Sequence, residues 1–396
     1  MDPWTGIEAS RFGLYVHFPY CLAKCPYCDF AVTVAREIPQ ARYTRALLGE
    51  LALRLLQTPG LRSRTLESVF LGGGTPSLWD PQHVGELLAA VRSILVVSAD
   101  AEVTLEANPE AVDRARLEGF RDAGVNRLSL GVQSFDASTL KALGRNHTGE
   151  DVERAFAAAR QAKFQNISLD FIYAVPGQTL QSAVADAERA GALGVEHVSS
   201  YALTVDRPSL AEETPFARQV RRGELVLPTD DVAVQMADGI GEAYASHGLL
   251  RYEISNHARP GSHSRHNALY WTGGDHLALG CGAVGMLKDG VTALRSTNHR
   301  STERYLLSVE AGALPEAGRE ILGQEELFTE RLAMGLRLTS GVALREVATA
   351  YGQALPRRLQ EAERLVAGGF ATWQGERLAL TRRGAHLHSE VAARLL

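Results

Sequence analysis

The sequence predicts an α/β fold: an incomplete (βα)6 barrel followed by a helix-rich C-terminal domain. Three observations carry this. Six short apolar strands alternate with amphipathic helices over the first half of the chain, the pattern of parallel βαβ units. Each strand runs into a polar or glycine-bearing segment, and barrel chemistry is assembled at the ends of strands. From about Leu314 the alternation gives way to helices and a terminal hairpin.

In chain order, an alternating apolar run beginning at Tyr15 is the first strand. Residues 40–57 carry apolar positions at helical spacing. Strands at 68–71, 102–107, 127–132, 167–175 and 197–203 are separated by helices at 81–95, 110–123, 150–162 and 180–193. Residues 204–260 are less regular, with prolines at Pro208, Pro215 and Pro228. Residues 318–326 read as a linker, 325–338 and 339–352 as helices, and 368–384 as a small hairpin. The expected division is a partial barrel over 1–225, a barrel extension over 226–313 and a C-terminal domain over 314–396.

A chain of 396 residues is too long for one ordinary core. Apolar residues make up 45% and charged residues 22%, ordinary for a globular protein. The net charge of -5 offers no basic footprint for nucleic acid. No run approaches the ~18–20 apolar residues that span a bilayer, and the first residues lack the basic start and apolar core of a signal peptide. A cytoplasmic, reducing location is expected.

Three of the four cysteines, Cys21, Cys25 and Cys28, fall within the stretch YVHFPYCLAKCPYCDF. Cysteines used as small core hydrophobes would be scattered, and three close thiols in a reducing compartment suit a soft metal better than disulfides. Zinc normally takes four ligands, and no partner pair follows at zinc-finger spacing. An iron–sulfur cluster held by three cysteines, with one iron left open, is the better fit.

Cys-x3-Cys-x2-Cys after a first strand, with the aromatic Tyr27 beside the last cysteine, resembles the radical S-adenosylmethionine (SAM) superfamily. That resemblance implies a [4Fe–4S] cluster whose open iron chelates the amino and carboxylate groups of SAM. The run Gly72-Gly73-Gly74-Thr75-Pro76 follows the second strand. Glycine there permits close backbone approach and exposed N–H groups, and the run resembles the loop that contacts the aminoacyl part of SAM, which assigns Gly73, Gly74 and Thr75.

Glu106 in TLEANPE, Gln133 in GVQSF, Arg145 in LGRNH and Asp170 in LDFIYAVPGQT follow in order. A carboxylate inside a nearly uncharged strand is costly unless it is paired or binds a ligand, and carboxylates suit ribose hydroxyls. The series resembles the coproporphyrinogen III oxidase branch of the superfamily, in which the matching residues hold SAM. The same resemblance implies SAM contacts for Tyr15, Tyr27 and Val284, and places His17 beside the cluster. Ala174 stands where the branch has a glycine.

The segment YEISNHARPGSHSRHNALYW carries His257, His263 and His266 in what reads as a polar loop. Its HNALYW resembles the HNxxYW signature of heme-chaperone members of the branch. Neutral imidazole is a standard axial ligand for heme iron, which makes His266 the candidate heme ligand, with Cys281 in LGCGAVGM as the alternative. Tyr270 and Trp271 could stack on a porphyrin. Many heme-chaperone members have a histidine near Val284, where this chain is apolar like the oxidases. The C-terminal unit resembles a winged-helix-like module, but its acidic residues Glu325, Glu326 and Glu330 argue against DNA.

The implied function is that of a heme chaperone binding a [4Fe–4S] cluster, SAM and heme and passing heme to an apo-hemoprotein. The alternative is an oxygen-independent coproporphyrinogen III oxidase, which decarboxylates propionate side chains to vinyl groups. HNALYW and the early first cysteine favour the chaperone, without appreciable oxidase activity. An electron donor such as a flavodoxin-type reductant is implied; a membrane-associated acceptor and a homodimer are left open.

Overall fold

The computed structural model describes residues 11–205 and 213–396. Pro208 lies outside them. One twelve-stranded sheet organises the chain. Its parallel core is built from β1 (Arg11–Phe18), β2 (Thr65–Gly73), β3 (Val96–Ala107), β4 (Arg127–Gln133), β5 (Asn166–Tyr173) and β6 (His197–Ala202), which pair in sequence order. The short β7 (Leu250–Arg251) and β8 (Asn256–Ala258) continue the sheet beyond β6. On the other side β9 (Asp275–Leu279) lies parallel to β1, followed by antiparallel β10 (Val284–Asp289), β11 (Thr292–Asn298) and β12 (Glu316–Leu322). The sheet does not close, because β12 and β7 are its two ends.

The strands behave as the alternation demands. Phe12, Leu14, Val16 and Phe18 of β1, and Leu128, Leu130 and Val132 of β4, are buried in the main core with Leu47, Leu51, Leu87, Leu117 and Phe120 from the covering helices. The intervening residues face the other way; on β4 these are Arg127, Ser129, Gly131 and Gln133, all of which line a cavity. The sheet therefore has one dry face and one wet face, and that division creates the site.

Four of the covering helices begin at a side-chain N-cap. Asp80, Asp113, Thr148 and Thr179 accept backbone N–H groups at the starts of the helices Pro81–Ile94, Arg114–Ala123, Gly149–Gln161 and Leu180–Ala192, each cap worth about 1 kcal/mol. The helix Gln40–Gln57 has the bounds expected of it.

Two expectations fail in the second half. The supposed linker at 318–326 is most of edge strand β12 and the first turn of the helix Gln324–Gly335; its charged, solvent-facing residues imitate a linker because an edge strand also faces water. The HNALYW motif is no loop but the helix Arg265–Thr272, capped by Ser264. Its backbone N–H groups at Arg265 and His266 are also satisfied by the Glu102 carboxylate.

Beyond β12, Phe328, Leu332, Leu336, Leu344, Leu365 and Leu378 form a separate apolar cluster, closed by the hairpin Ala371–Gln374 with Arg377–Leu380. Arg337 joins it to the sheet, donating to Glu253 at 2.9 Å and lying 4.4 Å over the Trp271 ring. Trp271 thus faces the C-terminal helices. Among the described residues no helix is long and apolar enough to cross a membrane.

Candidate functional site

A cavity of about 590 Å³ opens at the C-terminal ends of the parallel strands and extends down the wet face of the sheet. Cys21, Cys25 and Cys28 stand in its wall. β1 delivers them: Tyr20–Cys21 pairs with Thr33–Val34, and the chain between folds over the strand ends, with the Cys28 N–H donating to the Cys25 carbonyl at 3.1 Å. All three are free thiols. The Thr75 hydroxyl donates to Cys21 Sγ at 3.4 Å and Arg145 to Cys25 Sγ at 3.5 Å. Burial raises the Cys21 and Cys28 thiols, the latter to about 11. Among the described residues no three His, Cys, Asp or Glu side chains converge as they do around a single metal ion. Three thiols brought to one wall of the cavity suit a cluster whose irons are ligated separately.

The glycine loop is built differently from its expectation. Its N–H groups are not free for a ligand: Gly73 donates to Glu106 Oε2 at 2.9 Å, Gly74 to the Phe18 carbonyl at 2.7 Å and Thr75 to the Tyr20 carbonyl at 2.9 Å. Glycine is required by packing instead. A Cβ on Gly74 would sit 2.8 Å from the backbone of Pro19 and Tyr20, and Gly73 holds φ +117° with His17 pressed against it. The loop sews the cysteine segment to β2 and still lines the cavity with Gly73, Gly74 and Thr75.

Tyr15 and His17 form one chain of bonds. His17 Nε2 contacts the Ala31 carbonyl at 2.8 Å and must donate, so Nδ1 accepts from the Tyr15 hydroxyl at 2.9 Å. Burial lowers His17 to about 4 and keeps it neutral. Glu106, at the end of β3, is raised to about 7, chiefly by burial, against the opposing Gly73 N–H and with Asp170 adding repulsion. Asp170 is raised by burial too, and its two oxygens accept from Ser129 at 2.6 Å and Ser168 at 2.9 Å.

Gln133 ends β4 with φ +63°, an uncommon conformation for a side-chain-bearing residue. Asp186 holds the turn after it, accepting the Ser134 hydroxyl and the Phe135 N–H. Arg145 donates to Asn108 at 2.8 Å. Ala174 takes φ +58°, which explains why a glycine was expected there.

His266 is 1% exposed. Its Nδ1 meets the Ser68 hydroxyl at 2.8 Å and its Nε2 the Tyr270 hydroxyl at 2.9 Å, and burial lowers it to about 3. His266 and Tyr270 line the cavity together with Tyr15, Tyr27, Glu106, Gln133, Arg145 and Asp170.

Two candidates lie elsewhere. Val284 is 43% exposed on β10 and lines no part of the cavity, and Cys281 is fully buried with its Sγ donating to the Arg300 carbonyl at 2.9 Å. The cause is shared: after β9 the chain reverses through Gly280 and Gly282, both at positive φ, and β10 runs back antiparallel to β9. Sequence reading also missed Arg127, Ser129, Ser199 and Tyr201, which line the cavity. The signal was present in the alternation of RLSLGVQ and HVSSYA.

Fold and cavity together define a radical SAM protein. Residues 15–190 match the radical SAM superfamily and residues 322–387 the HemN C-terminal domain. The coproporphyrinogen III oxidase HemN of Escherichia coli shares the fold at a TM-score of 0.80 and 21% identity, covering 98% of this chain and 91% of its own. The heme chaperone HemW of Mycobacterium tuberculosis is 38% identical over 98% of this chain and 96% of its own length. HemW of Bacillus subtilis is 33% identical over 86% and 87%, and HemW of Escherichia coli 35% over 81% and 82%. The chain belongs to the HemW family. A radical SAM domain implies a [4Fe–4S] cluster and SAM.

Proposed function

We propose that this protein is a heme chaperone: it binds a [4Fe–4S] cluster, SAM and heme and delivers the heme to an apo-hemoprotein. The observation that carries this reading is that His266 and Tyr270 of HNALYW share one cavity with Cys21, Cys25 and Cys28. The relatives named heme chaperones support it. On this reading Cys21, Cys25 and Cys28 hold the cluster. Tyr15, Tyr27, the Gly73–Thr75 loop, Glu106, Gln133, Arg145 and Asp170 surround SAM. A reduced cluster of this kind supplies an electron to bound SAM.

The protein's own groups have distinct tasks. Asp170, held by two serine hydroxyls, presents a fixed acceptor to ribose hydroxyls. Glu106, raised to about 7, can hold or release a proton near neutrality. His266 can serve iron through Nε2 only if Nδ1–H donates to Ser68, and only by giving up the Tyr270 hydroxyl; the serine then fixes the tautomer, as second partners of metal-bound histidines commonly do. An apo-hemoprotein acceptor, an electron donor of flavodoxin type and a cytoplasmic location complete the proposal.

The test is anaerobic reconstitution with iron and sulfide, followed by heme titration and, in parallel, incubation with coproporphyrinogen III, SAM and a reductant. Stoichiometric heme binding without protoporphyrinogen is the expected result, with His266→Ala weakening binding or shifting the Soret band. Protoporphyrinogen formed at a catalytic rate would replace the chaperone with an oxidase.

A further inference from the structure

At the lower end of the cavity, β4 begins with Arg127, which is 2% exposed and yet lines the cavity. Its Nε is buried with no partner, and among the described residues no carboxylate forms an ion pair with it. Asp170 feels its charge but forms no ion pair with it, its oxygens accepting from Ser129 and Ser168 instead. His197 and His266 flank it and are held neutral by burial. An arginine cannot relieve an unpaired buried charge by losing its proton, so the charge calls for a counter-ion.

The neighbours repeat the deficit. Thr104 on β3 and Asn166 on β5 are the register partners of Arg127, so all three side chains face the same side of the sheet. Thr104 Oγ1 and Asn166 Oδ1 are also buried without partners. Three adjacent strands therefore present, in one row, a guanidinium, a hydroxyl and an amide that the described residues leave unsatisfied. The hydroxyl can donate, and the amide can turn its NH2 inward. The planar guanidinium matches a carboxylate through two parallel hydrogen bonds.

We propose that Arg127 is a docking point for a carboxylate of the molecule that fills this cavity, and that this carboxylate is a porphyrin propionate. The assignment of the carboxylate to a porphyrin rests on the heme-chaperone reading. SAM carries a carboxylate as well, so the experiment has to separate the two sources.

The reconstituted full-length protein is titrated with heme and with heme dimethyl ester, which lacks free carboxylates, and separately with SAM by calorimetry. Wild type should bind the diacid about tenfold or more tighter than the diester, the range for hydrogen bonds to a charged group. Arg127→Gln should bind both porphyrins within about twofold of each other, at the wild-type diester affinity, with SAM affinity unchanged. The wild-type comparison decides the matter even if the variant does not fold. No preference in wild type, or a full preference retained in Arg127→Gln, overturns the proposal while leaving heme binding, and so the chaperone reading, intact. Loss of SAM binding with the porphyrin preference retained would assign the carboxylate to SAM instead. Failure of wild type to bind either porphyrin would remove both readings.

Discussion

The carboxylate of Glu106 accepts the backbone N–H of Gly73 at 2.9 Å, tying the end of β3 to the loop that follows β2. Burial outweighs that bond and raises Glu106 to about 7. A raised carboxyl favours the folded state fully below its unfolded value near 4.5, and that contribution is lost as pH rises toward 7. At 1.36 kcal/mol per pKa unit the ceiling is about 3 kcal/mol; because Glu106 faces a cavity, on the order of 1 kcal/mol is expected. Urea unfolding of the metal-free protein should show stability falling between pH 5 and 7. Glu106→Gln should flatten that slope, and an unchanged slope would refute the assignment.

The four cysteines should separate cleanly. Serine at Cys21, Cys25 or Cys28 should abolish or severely reduce the visible iron–sulfur absorbance after reconstitution, since thiolates hold such clusters. Cys281→Ser should leave it intact, since Cys281 is buried outside the cavity against the Arg300 carbonyl. Loss of absorbance in Cys281→Ser alone would contradict the geometry.

Asp170→Ala removes the acceptor proposed for the ribose and leaves the Ser129 and Ser168 hydroxyls without it. SAM affinity of the reconstituted protein should drop by roughly tenfold or more. Calorimetry giving the wild-type constant would take Asp170 out of the SAM site.

Asp186 never enters the cavity, yet it fixes the turn that aims Gln133 into it. Asp186→Ala should destabilise the fold by about 1–3 kcal/mol, the cost of leaving buried donors unpaired. It should also weaken SAM binding more than stability alone accounts for, read by comparing the variant well below its melting temperature with Gln133→Ala. Equal SAM affinity in wild type and Asp186→Ala would limit Asp186 to stability.

At Ala174, φ +58° carries left-handed strain of about 1 kcal/mol or somewhat more, while glycine adds about 0.5–1 kcal/mol of unfolded-state entropy. Ala174→Gly should therefore be neutral to mildly stabilising in urea. A clear destabilisation would mean that the methyl group is packed rather than strained.

What the sequence disclosed follows from how local each signal is. The cysteine segment, the Gly72–Pro76 loop, Glu106, Gln133 and Asp170 were legible at strand ends because apolar strands stop where polar residues begin, and the helix Gln40–Gln57 because its apolar period is long and regular. Arg127 escaped because a charged residue at the start of a strand reads as a surface end, although the alternation of RLSLGVQ puts it on the face of Ser129 and Gln133. The helix at His266 escaped because eight residues are too few for periodicity, and its first turn is held by Glu102, far away in sequence. Val284 lies outside the cavity because of the reversal after β9, which depends on glycine backbone angles that residue spacing does not reveal.

The pairing of β1 with β9 has a consequence for the order of assembly. Phe12 through Val16 find their partners on one side only at Asp275 through Leu279. During synthesis the strand that leads into the cysteine segment therefore keeps an open edge for on the order of tens of seconds. Contacts so distant in sequence are slow to form, and an open edge invites wrong partners. The three thiols are made long before Asp275 through Leu279, and the strand that leads into them is enclosed late, so the cysteine loop of a nascent chain stays within reach of delivery factors and of oxidants alike.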